Sequence, residues 1–194
     1  MEHAKPEIRR SLHATLRATS PGARSLWSAS MRTHLLGSAA WANSATIMLF
    51  AALRFEPDFV PLVETGTGKR MLFPGLEGDR ITAREVQFAE QLLTSLNGIR
   101  EPSPDRCPAV PPEEIDLVIV PGLAFGPDGS RLGRGKGHYD RFLSALPDST
   151  ILCGACFVCQ LLETLPAESH DIPMDAVLTE NGWRSITCRH PSVP

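Results

Sequence analysis

The sequence predicts an α/β fold, one domain with a mostly parallel central sheet flanked by helices. Three features carry that expectation. Apolar runs of strand length recur at 45–53, 115–120 and 151–158 and read as buried strands. Stretches with helical spacing precede or separate them at 5–19, 21–37 and 139–146. A glycine-rich segment, 131–140, joins the second run to a helix. With 194 residues and 42% hydrophobic content the chain can bury one sizeable core, and nothing demands a second domain.

In chain order, Ile8, Leu12 and Leu16 recur every four residues along the first helix, and Lys5 and Arg9 share another of its faces. Two cations one turn apart can grip a phosphate chain or form an ordinary solvated stripe; spacing alone favours the stripe. Ser20 and Pro21 read as an N-cap and a first helical position, opening a helix through about Gly37 whose Leu26, Met31 and Leu35 belong to the core. His34 reads as a surface or packing histidine. The 45–53 run delivers Arg54 to Asp58 to an edge of the sheet where α/β folds place ligands. Asp58 then opens a helix holding Val60, Leu62 and Val63, which Gly66 to Gly68 end.

A short strand over 69–74, an alternating strand over 81–88 and an amphipathic piece at 92–96 follow. Segment 103–114 is rich in proline and lacks periodicity, which makes it a loop and the place for disorder or insertion. After the glycine segment and its helix come the 151–158 strand, a short helix over 160–165 and the apolar Ala176-Val177-Leu178. Residues 1–4 and 184–194 read as tails.

The chemistry concentrates at 131–140. Gly133, Gly135 and Gly137 alternate with Arg134 and Lys136, so the backbone can adopt positive-φ geometry while two cations project from the same few residues. Backbone N–H groups, a helix start and fixed charges then converge on one anion. The pattern is neither a Walker A sequence nor a dinucleotide fingerprint, and a flexible basic loop on a solvated surface would look similar. Asp140, directly after the glycines, favours phosphate with magnesium, an ion that takes oxygen ligands.

Composition narrows the classes. A net charge of −3, with no basic tail, does not suggest a nucleic-acid binder. The first ten residues lack the apolar core of a signal peptide and no apolar run approaches membrane-spanning length, so a cytoplasmic protein is expected. Five cysteines argue for reduced thiols rather than a disulfide framework. Cys153, Cys156 and Cys159 form a C-x-x-C-x-x-C, but on a buried strand side chains three apart point to opposite faces and cannot share a metal.

Arg131-Leu132-Gly133-Arg134-Gly135-Lys136-Gly137-His138-Tyr139-Asp140 resembles the signature of the 5-formyltetrahydrofolate cyclo-ligase family, also called 5,10-methenyltetrahydrofolate synthetases. The resemblance runs from Lys5 to about Glu180. It implies a NagB/Rossmann-like single domain and an ATP- and magnesium-dependent ring closure of 5-formyltetrahydrofolate, through phosphorylation of the formyl oxygen. It places Lys5, Arg9, Arg131, Leu132, Gly133, Arg134, Gly135, Lys136, Gly137, His138 and Tyr139 around ATP. Glu56, Arg134, Gly135, Lys136, Gly137 and His138 fall around the reduced folate, with Arg134 and Lys136 as the catalytic cations.

Asp140 and Asp175 match the magnesium carboxylates, His170 and Asp171 brace the loop before Asp175, and 97–102 matches a segment near the substrate. A monomer or weak homodimer with small-molecule partners is implied. His138 stands where the family usually has tyrosine, and Cys156 to Cys159 depart from its pattern while Gln160 keeps it. An ATP-using paralogue with another formamide or folate-like substrate, or a silent folate- or nucleotide-binding protein, remains open on these residues.

Overall fold

A strand buried along its whole length needs a layer on each face, and the apolar runs of this chain find both. The structure is a computed structural model that describes residues 4–95, 98–166 and 171–186. The chain opens with α1 (Ala4–Ala18), α2 (Pro21–Leu36) and α3 (Ala39–Asn43), then forms β1 (Thr46–Met48), β2 (Arg70–Glu77) and β3 (Arg80–Glu85). An antiparallel pair, β4 (Leu92–Thr94) and β5 (Arg100–Pro102), precedes β6 (Leu117–Pro121). A second pair, β7 (Ala124–Phe125) and β8 (Arg131–Leu132), precedes α4 (His138–Leu143). β9 (Ile151–Ala155), β10 (Ala176–Thr179) and β11 (Gly182–Ser185) complete the described chain.

Seven strands join in the order β11-β10-β9-β6-β1-β2-β3. The contacts from β10 through β9, β6 and β1 to β2 are parallel, and the edge strands β3 and β11 are antiparallel. Alternation along the strands sorts the core into two layers. Leu117 and Ile119 of β6 pack with Met31 and Leu35 of α2 and Trp41 of α3, while Val118 and Val120 pack with Phe142 and Leu143 of α4. Ser20 caps α2 by accepting the Ala23 N–H, with Pro21 at its start, as the sequence predicts. α1 adds Leu16 to the α2 layer and seats Leu12 against Ala124 and Leu132 of the β7–β8 pair.

Several sequence expectations change. The 45–53 strand keeps ladder pairing only at Thr46–Met48, and the buried Leu49, Phe50 and Ala51 continue outside it. The helix after Asp58 is a single 3-10 turn, Val60–Glu64, although Asp58 Oδ1 does accept the Val60 N–H at 3.0 Å. No helix forms at 160–165: a 3-10 turn, Val158–Gln160, leads to a bridge between Leu161 and Phe125. Segment 103–114 is pinned along β3, where Val110 N–H donates to Ala83 O at 2.9 Å and Cys107 is buried. Arg184 and Ser185 belong to β11 rather than to a tail. Leu26 is 73% exposed because it faces away from the sheet that covers Met31 and Leu35.

Cys153 lies in the core layer of α2 and Cys156 in that of α4, so the two thiols point to opposite faces as expected. Burial pushes both thiols well above the ordinary cysteine range, which makes them inert packing groups.

Phe125 packs against Gly154 of β9 and Gly122 just past β6. A Cβ added at Gly154 would come within 2.2 Å of its ring, and one at Gly122 within 2.6 Å. Gly154→Ala is therefore expected to destabilise the fold by about 1–3 kcal/mol through overpacking. A lower urea midpoint at unchanged slope is the expected result, and an unshifted midpoint would show that the ring can yield.

Candidate active site

β1 stops pairing at Met48, while its neighbours run on to Pro121 in β6 and Glu77 in β2. Past that point the two neighbours have no strand between them, and a cleft of about 230 Å³ opens at the carboxyl ends of the parallel strands. That is the edge at which open α/β sheets bind ligands. Phe50 and Ala51 line it beneath, Pro74, Leu76 and Ile81 come from β2 and β3, and Ile99 to Glu101 come from the β4–β5 pair. The rest of its lining is Pro121 and Gly122 at the end of β6, Arg131 and residues Gly133 to Asp140, together with Leu53 and Glu56.

Two glycines of the 131–140 segment take conformations that L side chains rarely adopt, Gly135 at φ 94° and Gly137 at φ 66°, the latter as N-cap of α4. The segment is braced from outside the cleft. Arg9 of α1 donates from Nε to Gly133 O at 3.3 Å, and a Cβ on Gly135 would sit 3.5 Å from the Arg9 guanidinium. Arg141 of α4 donates to Asp79 O at 2.9 Å in the turn between β2 and β3.

Arg131 runs beneath the segment. Its guanidinium is ion-paired through Nη2 with Asp140 Oδ1, with side-chain exposures of 5% and 24%, and its Nη1 reaches Pro121 O at 3.4 Å. It also lies over the Tyr139 ring, 5.9 Å from its centroid. Arg131 Nε and the Tyr139 hydroxyl are buried without a hydrogen-bond partner among the described residues. Burial first, and the Glu56 carboxylate second, push the Tyr139 phenol well above its usual range, against an opposing pull from Arg131.

Across the cleft, Glu56 Oε1 accepts Arg134 Nη2 at 2.8 Å and Nε at 3.2 Å, while Glu56 Oε2 accepts the Leu53 N–H at 3.0 Å. The folate acid and the catalytic cation of the sequence reading thus meet each other. Lys136 is exposed on the cleft and forms no ion pair among the described residues. His138 lines the same cleft as the first residue of α4.

Other expected site residues stand elsewhere. Lys5 pairs with Asp171 at 3.7 Å, which ties α1 to the segment before β10, and is not among the cleft residues. Leu132 has a core side chain, packed on Leu12. Asp175 does not join Asp140. It precedes β10 at the amino end of a parallel strand, level with Leu152 and Val118, where its Oδ2 accepts the Leu152 N–H at 2.7 Å. The cleft lies at the opposite, carboxyl end, so the two-carboxylate magnesium site is not assembled. His170 lies outside the described residues.

Sequence reasoning missed the apolar walls from Phe50 and Leu76, because an apolar strand residue and an apolar cleft residue look alike. It gave Arg100 and Glu101 only a supporting place. Glu101 lines the cleft and accepts the Leu76 N–H at 3.3 Å, replacing the partner that β1 no longer supplies.

The sequence model of the 5-formyltetrahydrofolate cyclo-ligase family matches residues 1–180. The chain belongs to that family. It is 36% identical over 141 residues to the 5-formyltetrahydrofolate cyclo-ligase of Escherichia coli, covering 69% of this chain and 77% of that one. It is 33% identical over 144 residues to the protein of the same name from Mycolicibacterium smegmatis, covering 71% and 74%. Among solved structures, the 5,10-methenyltetrahydrofolate synthetase of Aquifex aeolicus superposes with a TM-score of 0.85 at 30% identity, over 98% of this chain and 96% of that one.

This cyclo-ligase family member has a single tyrosine, so phenolate absorbance near 295 nm reads Tyr139 alone. Its raised pKa means that the unfolded chain loses the phenol proton first. Stability from this group is intact below about pH 10 and declines as pH climbs past that value. Phenolate is expected to appear only well above pH 10, or together with unfolding; half-ionisation of the folded protein near pH 10 would contradict the burial.

Proposed function

We propose that this protein closes the ring of 5-formyltetrahydrofolate to give 5,10-methenyltetrahydrofolate, consuming ATP and releasing ADP and phosphate. The observation that carries the reading is one cleft in which Arg134 and Lys136 of a positive-φ glycine loop face Glu56, in a chain of the cyclo-ligase family. The chemistry explains why those groups belong together. An N-formyl oxygen is a poor leaving group. Once it has taken the γ-phosphoryl of ATP it departs as phosphate when N10 attacks the formyl carbon.

Phosphoryl transfer of this kind rests on positioning and charge neutralisation more than on acid–base machinery. Lys136 neutralises the transferring oxygens, with Arg134 beside it. The main-chain N–H groups around Gly135 and Gly137, with His138, complete the cradle. Arg9 and Arg131 act from behind, holding the loop and adding positive potential. Glu56 orients the pterin by accepting N–H donors from its aminopyrimidinone edge, against the apolar Phe50 and Leu76.

Nucleotide phosphates bring magnesium, which such sites bind through one or two carboxylates plus phosphate oxygens and water. Asp140 fits that role: it lines the cleft directly behind the loop, and the only described partner of its carboxylate is Arg131, through Oδ1. When bound, the ion would offset phosphate charge. Among the described residues no group of three His, Cys, Asp or Glu side chains could hold a metal, in keeping with an ion that arrives with its nucleotide. All these residues come from one chain, so a monomer or weak homodimer suffices. The proposed setting is the cytoplasm, where reduced folate and ATP meet.

The direct test is appearance of methenyl absorbance from 5-formyltetrahydrofolate, ATP and magnesium. Lys136→Ala is expected to lower turnover by about 100-fold or more with an unchanged thermal midpoint, the scale of losing one electrostatic stabiliser. Turnover like that of the wild type in this variant would sink the assignment.

A further inference from the structure

Glu56 has little room for a ligand while Arg134 holds it. Its side chain is 10% exposed, one oxygen is taken by the Leu53 N–H, and the other receives two N–H groups of the same guanidinium. Arg134 is 43% exposed and sits on the glycine loop, so the pair spans the cleft from the segment after β1 to the loop after β8. The two partners are unequal. Arg134 can exchange its carboxylate for water or another anion. Glu56, largely withdrawn from water, cannot lose its partner without needing another donor.

A polyanionic phosphate chain at the glycine loop competes for Arg134 on favourable terms, because a guanidinium fork matches phosphate oxygens as well as it matches a carboxylate. Each departure of Arg134 leaves Glu56 Oε1 facing the cleft unpaired, beside the apolar Phe50 and Leu76. An amine or amide N–H edge is the chemistry that would then satisfy it.

We propose that the Arg134–Glu56 pair is a latch coupling the two substrates. Nucleotide phosphates draw Arg134 away from Glu56 and so open the carboxylate to the N–H donors of the folate ring. The inference rests on reading this cleft as the shared site of nucleotide and folate. By thermodynamic reciprocity the folate tightens the nucleotide by the same factor. In the absence of nucleotide the latch stays closed and the reduced folate binds weakly.

The test is calorimetric titration of the full chain with 5-formyltetrahydrofolate, with and without magnesium and β,γ-methylene-ATP, which cannot transfer its terminal phosphoryl group. The analogue is expected to lower the folate Kd of the wild type about tenfold, within the usual range of coupling. Arg134→Met keeps the aliphatic stem and removes the fork. It is expected to bind folate alone about as tightly as the analogue-loaded wild type does, and to show no further tightening with the analogue. Both ligands binding to the wild type without coupling overturns the latch and leaves the functional reading standing. An Arg134→Met protein that binds folate more weakly than the nucleotide-free wild type, or that keeps the coupling, also overturns the latch. A wild type that binds neither ligand overturns the functional reading and the latch with it.

Discussion

The site depends on a cation buried beneath its glycine loop. Arg131 belongs to β8, its guanidinium pairs with Asp140 in the first turn of α4, and it also touches the end of β6 through Pro121 O. Both ends of the glycine segment are thereby tied to the same side chain. Removing one partner of a pair this buried leaves an uncompensated charge, typically about 3–5 kcal/mol unfavourable. Gly135 and Gly137 hold their positive-φ geometry within that frame, with Arg9 bracing one side and Arg141 reaching the β2–β3 turn on the other.

The sheet supplies the second constraint. A cleft exists because β1 ends before its neighbours, so the volume that a longer strand would fill lies open between β6 and β2. Its walls are apolar and its rim carries charges of both signs. Apolar walls keep water from screening those charges, which strengthens each interaction a ligand makes with them. The same surroundings explain why the Tyr139 phenol keeps its proton and why Glu56 is found with Arg134 rather than alone.

Much of this was legible in the sequence. Parallel strands buried on both faces have to be apolar throughout, so 115–120 and 151–158 announced themselves, and Ser20-Pro21 marked a helix start by its capping chemistry. The glycine alternation correctly located positive φ at Gly135 and Gly137, though at Gly133 the requirement is space beside Arg131 instead. Local patterns misled where tertiary partners decide. Segment 160–165 has the residues of a helix, but its backbone is used by the bridge to Phe125. Segment 184–185 reads as a tail until β10 supplies the neighbour that makes it a strand.

The sequence by itself determined the fold class, the positive-φ glycine loop and the family, because periodicity, glycine placement and a contiguous signature are local properties of the chain. Only the tertiary structure decided which charges meet. Arg134 lies far from Glu56 in sequence, and the pair forms because the ends of β1 and β8 open onto the same cleft. Asp175 resembles a partner for Asp140 in the sequence, yet strand direction puts it at the other edge of the sheet, where it serves the backbone of β9. Spacing along a chain does not encode which end of a parallel strand a residue occupies in space; the register of the sheet does.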